Sequence, residues 1–488
     1  MELLLCFASA GDNSFLFNFD VYVDDFIGLV CAQSRSQLEH VSRAALHGIH
    51  DVFPPAVDEE KDPNSVKKLK KQDGAWALNK DVLGFDFDGN DRTIILDEGK
   101  RDKILGHLKE WTRKARKKGK SSTAAIPFKD FCTIVHKLRH ASICIPAGKS
   151  LLSECNQQVC IEGRRLLYLR VGSVLYQELD GWRKLLTAAT AKPTKCVKLI
   201  SGHPDGIGIV DASSTEGVGG VVVGENDAII PVVFRMEWPD EVKRLVISQK
   251  NPRGKLSISD LECAGLLLLW LVIEQVAPEL ACKHFAVLND NAPTVSWAKK
   301  LNASKSRTAA ALLRVLALRM KLAGTSPLIP MHIPGEENGL SDVPSRSFGG
   351  KAKWHCKNDD EFLTLFNKTF PLPNQNSWTI FHLPKELSSG VISILLTQAS
   401  ELEEWRRPSK GKKSFGKHGV AIPKLWEWTL TCRKTPPSSQ RPLDPSQALV
   451  QESKLATSAM AARSALARSL QLSQPLARRF PWSRETTH

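Results

Sequence analysis

The sequence predicts the α/β fold class, in an α+β arrangement of several domains. The main observation is a series of patterns from Ile207 onward that reads strand, strand, helix, strand, helix, strand. The second is the length of 488 residues, which exceeds what one hydrophobic core usually serves. The third is the composition of the last sixty residues, which are rich in Ser, Ala, Gln, Pro and Arg and predict a mostly disordered tail.

The first part of the chain predicts a domain over residues 1–96. Residues 12–30 alternate aromatic or β-branched residues with polar ones, which indicates a β-hairpin with two acids near its tip. A connection rich in Pro, Asp and Lys at residues 54–71 precedes a further strand at residues 82–89, which a turn closes.

Residues 97–195 predict a helical region followed by a linker. The pattern is helical from Asp97 to about Leu152, and Pro127 suits the first turn of one helix because its φ is already fixed near the helical value. Residues 180–204 have the character of a linker.

The best-defined domain is predicted over residues 196–350. Its strands are expected at residues 207–211, 217–223, 285–290 and, more briefly, 328–333. Its helices are expected at residues 260–276 and 308–322. Residues 351–488 are expected to form a basic, mostly disordered tail.

Charge and cysteine content restrict the partners and the compartment. A formal net charge of +15 favours a polyanion, and nucleic acid is the leading candidate. The eleven cysteines include no Cys-x-x-Cys pair, which predicts reduced thiols and an intracellular protein, cytoplasmic or nuclear and not secreted. The longest apolar segment, residues 264–276, is too short to span a bilayer and contains Glu274, so no membrane partner is expected.

Four carboxylates occur where predicted elements can bring them together. Asp211 and Asp290 each end a strand, Glu262 lies in the first turn of a helix, and Asp342 follows a loop. Hydrolysis of a phosphodiester needs an activated water and stabilised charge, which two Mg²⁺ ions held by carboxylates can supply. Mn²⁺ is the alternative ion.

Each acid also has a purely structural interpretation. Asp211 suits a turn, Glu262 suits a capping box that starts at Ser259, and Asp290 and Asp342 suit helix N-caps. These interpretations do not explain why all four acids occur together and in this order.

The sequences around the acids resemble the ribonuclease H domains of retrotransposon polyproteins. The matching segments, in order, are Ile209-Val210-Asp211-Ala212-Ser213, Ser259-Asp260-Leu261-Glu262-Cys263-Ala264-Gly265, Leu288-Asn289-Asp290-Asn291 and residues 332–346. The resemblance implies a ribonuclease H-like mixed sheet with flanking helices, and cleavage of the RNA strand of RNA/DNA hybrids. It implies that Asp211, Glu262, Asp290 and Asp342 are catalytic and bind the metal ions.

The same resemblance suggests a role for His332 as a mobile loop histidine that assists product release. The alternative is a histidine that simply ends a strand. The family usually has Ala before the last acid, where this chain has Ser341.

The start of the chain resembles part of a reverse transcriptase. Tyr22-Val23-Asp24-Asp25 is similar to the catalytic hairpin of the palm, residues 82–89 to the segment near the primer grip, and residues 136–151 to the thumb or connection. Another catalytic Asp and the fingers region, which the family encodes upstream, are absent from the residues before Asp24. We therefore expect no polymerase activity from this chain alone, and a separate chain could supply the missing half.

A basic segment predicts a contact with nucleic-acid phosphates, and its alternative interpretation is a solvated loop. Its cations are Arg113, Lys114, Arg116, Lys117 and Lys118. Two functions besides ribonuclease H stay open: a catalytically inactive, nucleic-acid-binding relic of a retroelement, and another nuclease or integrase of the same fold.

Overall fold

The structure is a computed structural model. It describes residues 16–22, 25–32, 34–54, 56, 62, 66, 75–116, 123–161, 163–191, 193–199, 203–224, 229–277, 279–303, 305–349, 354–372 and 377–406, with side chains described outside residues 16–26, 190–191 and 400–406. The predictions made for Asp24, Lys117, Lys118 and residues 407–488 lie outside the described residues, as do the side chains of Tyr22 and Asp25.

The chain divides into two compact units, residues 1–97 and residues 98–488. The elements of the first unit are β1 (Leu16–Tyr22), β2 (Asp25–Cys31), α1 (Arg35–Val52), β3 (Asn79–Val82), β4 (Phe85–Asp88) and β5 (Thr93–Leu96). The predicted hairpin is confirmed, because β1 and β2 pair in antiparallel register with Tyr22 opposite Asp25. Strands β3, β4 and β5 pair antiparallel, and Leu83 and Gly84 form the first turn with positive φ values of 52° and 78°.

The second unit begins with a mainly helical region. Its elements are α2 (Glu98–Arg116), β6 (Thr123–Pro127), α3 (Phe128–Ala141), a 3₁₀ turn (Pro146–Leu151), α4 (Ser153–Val159), β7 (Leu166–Arg170), α5 (Val174–Ala191), β8 (Thr194–Lys195) and a 3₁₀ turn (Cys196–Leu199). The linker predicted from residue 180 is wrong as far as Ala191. Leu179, Trp182 and Leu186 recur at helical spacing and are fully buried, so α5 continues through this segment.

A six-stranded mixed sheet forms the centre of the second unit. Its strands are β9 (Gly206–Ala212), β10 (Gly217–Gly224), β11 (Val232–Glu237), β12 (Phe285–Asn289), β13 (Ile329–His332) and β14 (Thr379–Ile380). They lie in the order β13, β12, β9, β10, β11, β14. The β13–β12, β12–β9 and β11–β14 pairs are parallel, whereas β10 is antiparallel to both neighbours. The sequence interpretation missed β11 and β14.

Helices cover both faces of this sheet, so the fold is mixed α/β. They are α6 (Asp240–Lys243), α7 (Ile258–Val276), α8 (Ala292–Lys300), α9 (Arg307–Ala323), α10 (Gly339–Ser345), α11 (Asp359–Thr369) and α12 (Lys385–Arg406). Val210 faces a core built with α7, α9 and α12, whereas Ile209 faces a core built with α10 and α11. Alternate residues of β9 therefore pack on opposite faces. Among the described helices, none is long and apolar enough to cross a bilayer.

The predicted disordered tail starts with a folded segment, which corrects the expectation for residues 354–406. Phe362 and Phe366 of α11, and Val391 and Leu395 of α12, lie four residues apart and are fully buried. These two apolar stripes complete the cores on the two faces of the sheet. Helices α11 and α12 are folded because they cover apolar surface on the two faces of the sheet that would otherwise be exposed.

The helical region packs directly on the sheet domain. Glu178 of α5 has no exposed surface, and its carboxylate accepts the backbone N–H groups of Glu154 (3.0 Å) and Cys155 (2.9 Å) at the start of α4. The guanidinium of Arg314 on α9 lies 3.4 Å from the same carboxylate and is also buried. A buried ion pair thus joins residues that the sequence assigned to two separate domains.

Candidate active site

Three carboxylates meet at the edge of the sheet where β9 and β12 end. One oxygen each of Asp211, Glu262 and Asp290 lie within 4.8 Å of one another. Because β9 and β12 are parallel neighbours, their carboxyl ends bring Asp211 and Asp290 to the same edge. Asp211 and Glu262 are each 3% exposed. The three acids that the sequence placed far apart are therefore grouped in one small, largely buried site.

Asp211 is held by a neighbouring serine and by a close approach of backbone. The Ser345 hydroxyl, on α10, donates a hydrogen bond of 2.5 Å to Asp211 Oδ2. Gly219 lies opposite Asp211 on β10, and a Cβ atom at Gly219 would lie 2.5 Å from the Pro344 backbone. The absence of a side chain at Gly219 therefore lets α10 lie against the sheet and bring Ser345 to Asp211.

Glu262 does not cap its helix, which removes the structural interpretation of this acid. The N-cap of α7 is Ser257, and its capping-box partner is Asp260 rather than Glu262. Glu262 Oε2 instead accepts a 2.9 Å hydrogen bond from Asn289 Nδ2, which also donates to the Val210 carbonyl at 2.9 Å. Asn289 thereby fixes the Glu262 carboxylate relative to β9 and β12.

Asp290 is likewise not an N-cap, because the cap of α8 is Asn291. Its carboxylate lies beside the loop that follows β13. A Cβ atom at Gly335 would lie 3.4 Å from Asp290 Oδ2, so a glycine occupies the point where the loop passes the carboxylate. Asp290 is only half-buried, and it is the carboxylate of the three that is most open to solvent.

Asp342 lies near this group but outside the tight cluster. It occupies the first turn of α10, whose N-cap is Asn338, so the N-cap interpretation does not apply to Asp342 either. Its carboxylate forms an ion pair of 2.6 Å with Arg346, one turn further along. Burial raises the pKa of Asp342; the charge of Arg346 opposes this rise, and repulsion from Asp290 adds to it.

His332 ends β13 at the same edge of the sheet. It pairs with Asn289, and its Nε2 lies 2.9 Å from the backbone carbonyl of Asp290. The side chain is exposed. Both interpretations of this histidine, as a strand-ending residue and as a group that can reach a bound substrate, are compatible with this position.

Burial and mutual repulsion raise the pKa values of Asp211 and Glu262. Burial, with repulsion from Asp290 and Asp342, raises the pKa of Asp211 to about 6, against the opposing hydrogen bond from Ser345. Burial, followed by repulsion from Asp211, raises the pKa of Glu262 well above its usual value. Buried carboxylates of this kind become ionised at neutral pH when a cation compensates their charge.

We expect metal-free protein to lose stability as the pH rises from 4 to above 6. The folded state holds the Asp211 proton more tightly than the unfolded state does, so the contribution present below about pH 4 disappears as pH passes through the folded pKa of about 6. Mg²⁺ should oppose this loss, and the increase in Tm caused by 10 mM Mg²⁺, roughly a saturating amount, should be larger at pH 7.5 than at pH 5. An equal increase at both pH values would contradict the assignment of a buried cation-binding carboxylate.

The predicted basic segment is only partly free to bind phosphates. Lys114 forms an ion pair of 2.6 Å with Glu110. Arg116 Nε donates a 2.5 Å hydrogen bond to the Tyr176 hydroxyl, and its guanidinium lies 3.5 Å from Asp180. Arg113 is exposed at the end of α2. Of the three described cations, Lys114 pairs within α2 and Arg116 stabilises the packing of α2 against α5.

Sequence reasoning missed three residues that position the acids. Asn289 and Ser345 lie inside the segments that carried the resemblance, yet they were given no role. A signal was available for each: Asn289 is a polar residue at the end of a buried strand, and Ser345 follows Asp342 by three residues on one helix face. Gly219 gives a weaker signal, because a strand glycine marks a close approach without indicating to what.

Comparisons of the chain with protein-family models, with curated proteins and with solved structures gave no match.

Proposed function

We propose that this chain is a metal-dependent endonuclease of the ribonuclease H-like fold, which cleaves the RNA strand of RNA/DNA hybrids and derives from a retrotransposon polyprotein. The observation that carries the proposal is the convergence of Asp211, Glu262 and Asp290 at one edge of the sheet. Three adjacent acids, two of them buried, repel one another and destabilise the fold when no cation is bound, so such a group calls for a functional explanation.

The topology supports the proposal. The strands β9, β10 and β11 form an antiparallel series, and β12 and β13 extend it in parallel beside β9. This arrangement agrees with the mixed sheet that the resemblance implies. The structural interpretations of Glu262 and Asp290 as helix caps fail, since other residues cap those helices.

The donor set fits a hard divalent cation, because it consists of carboxylate oxygens. Asp211, Glu262 and Asp290 would hold Mg²⁺ or Mn²⁺, and Asp342 would join them after leaving Arg346. Bound ions would lower the pKa of a water and neutralise charge on the scissile phosphate. Ser345 and Asn289 keep Asp211 and Glu262 in place, and His332 lies where it can contact a substrate beside Asp290.

A cleavage assay tests the proposal. It uses the full chain, because α12 and the helical region belong to the same packed unit as the sheet. The substrates are matched RNA/DNA hybrid, duplex DNA, duplex RNA and single strands, each with Mg²⁺ or with EDTA. We expect Mg²⁺-dependent cleavage of the RNA strand of the hybrid only. Asp290→Asn should abolish the cleavage, with Glu279→Gln, an exposed acid, as the matched control.

The other outcomes separate the alternatives. Folded protein that binds the hybrid but does not cleave it would favour the inactive relic. Cleavage of duplex DNA instead of the hybrid would favour another nuclease or an integrase of the same fold. Equal cleavage by wild type and Asp290→Asn would show that the site is elsewhere.

A further inference from the structure

A two-stranded ribbon in the helical region has one face that is exposed except at Arg170, which is half-buried. Strands β6 and β7 pair antiparallel, with Ala125 opposite Tyr168 and Pro127 opposite Leu166. The residues between these on each strand, Ile126 and Leu167, are buried against α2, α3 and α5. The ribbon thus has an inner face that belongs to the core and an outer face open to solvent.

The outer face carries an aromatic ring at its centre. The Tyr168 side chain is 64% exposed and Leu166 is 45% exposed. An exposed tyrosine on a strand that is otherwise anchored by buried leucines is held rigidly while its ring stays accessible. Thr123 and Arg170 complete this face at the other end of the ribbon, where they are paired.

Cations predominate around this ring. Residues 123–130 and 163–170 contain four basic residues, Lys129, Arg164, Arg165 and Arg170, against one carboxylate, Asp130. Lys129 follows Phe128, whose backbone N–H donates to the Arg165 carbonyl at 3.0 Å, so these two cations lie at the same end of the ribbon. Arg164 donates to the Gln158 side chain, which is neutral, and no carboxylate among the described residues forms an ion pair with it.

From these observations we propose that the outer face of the β6–β7 ribbon binds a single strand of nucleic acid. Tyr168 stacks on a base, and Arg165 and Arg170, at the two ends of β7, contact the phosphates on either side of it. An exposed ring flanked by cations on a rigid ribbon combines the two contacts that sequence-independent strand binding uses. This surface is separate from the carboxylate site, and it differs from the basic segment at the end of α2, whose Lys114 and Arg116 have intramolecular partners.

The test measures binding by fluorescence anisotropy of labelled single-stranded DNA, single-stranded RNA and RNA/DNA hybrid, with the full chain in EDTA so that no cleavage occurs. Tyr168→Ala should weaken binding of the single strands about tenfold, since stacking on one aromatic residue contributes on the order of 1–3 kcal/mol per base. Tyr168→Phe should bind as the wild type does. Arg170→Ala should lower the affinity and make its dependence on log salt shallower by about one unit.

Ile143→Ala is the control, because Ile143 is a large exposed side chain outside the ribbon, at 53% compared with 64% for Tyr168. Unchanged strand binding by Tyr168→Ala would overturn the inference. The inference would also be overturned if Tyr168→Ala self-associated less than the wild type on sedimentation and bound the strands equally well. The face would then be a contact between copies of the chain. The binding assay contains EDTA and no metal ion, so its result does not depend on whether the wild type cleaves a hybrid.

Discussion

Replacing Asp211 with asparagine is expected to abolish cleavage and, at the same time, to stabilise the metal-free protein. Asp211 is 3% exposed and lies among Glu262, Asp290 and Asp342, so its ionised form is costly at neutral pH without a cation. Asparagine removes this charge and keeps an oxygen that can accept the Ser345 hydroxyl. The gain in unfolding free energy above pH 7 should reach up to about 3 kcal/mol, from a pKa displaced by roughly two units.

The loss of activity has a different cause, because an amide oxygen is a poor ligand for a hard divalent cation. Several kcal/mol of transition-state stabilisation depend on such ligands, so cleavage should fall about 10³-fold or more. The measurements are single-turnover cleavage of the hybrid and thermal unfolding in EDTA at pH 5 and pH 7.5. The gain in Tm should be present at pH 7.5 and small at pH 5. A variant that loses activity and stability together would show that Asp211 serves only the fold.

Replacing Gly219 with valine is expected to disrupt the site without touching any carboxylate. A Cβ atom there would lie 2.5 Å from the Pro344 backbone and 2.7 Å from the Ser345 nitrogen, and backbone cannot yield as a flexible side chain does. Helix α10 must therefore move away from β10, and it takes Ser345 and Asp342 with it. Overpacking of this kind costs about 1–3 kcal/mol, and displacement of catalytic groups by about 1 Å reduces rates about 10²-fold.

The prediction is checked with Gly219→Ala and Gly219→Val, which should show a graded loss of Tm and of cleavage. Gly106 provides the control, because a Cβ atom there meets nothing within 4 Å and the residue lies inside α2. Gly106→Ala should leave cleavage unchanged and raise stability by up to about 1 kcal/mol through helix propensity. Wild-type cleavage by Gly219→Val would mean that the contact between α10 and β10 does not position the acids.

The sequence predicted the acids better than it predicted the elements around them. Asp211 and Asp290 could be found because Asp211 directly follows an apolar run and Asp290 follows one with only Asn289 between, and parallel strands bring such ends together. The details of Glu262 could not be found in this way, since two serines precede it and only the folded backbone shows that Ser257 is the N-cap. The offset of Asp342 towards Arg346 depends on rotamers, which a pattern does not reveal.

The local sequence of the missed elements does not distinguish them from loops. Strand β11 begins directly after Pro231, and a proline inside the apolar run from Ile229 to Phe234 argues against a strand. Helix α12 follows a segment rich in Pro and Asn. Its apolar stripe packs on α7 and α9, and this distant contact cannot be inferred from the local sequence. Arg235 of β11 packs between the Phe348 and Phe362 rings and pairs with Asp359, a long-range contact that no local rule predicts.

The pairing of Glu178 with Arg314 makes the sheet and its helices depend on the helical region that precedes them. Removing the helical region would expose Arg314 and the apolar surface beside it to water, so the sheet and its own helices would lose buried surface as well as a counter-charge. A fragment that contains the sheet should therefore also contain α5, so that Glu178 still pairs with Arg314.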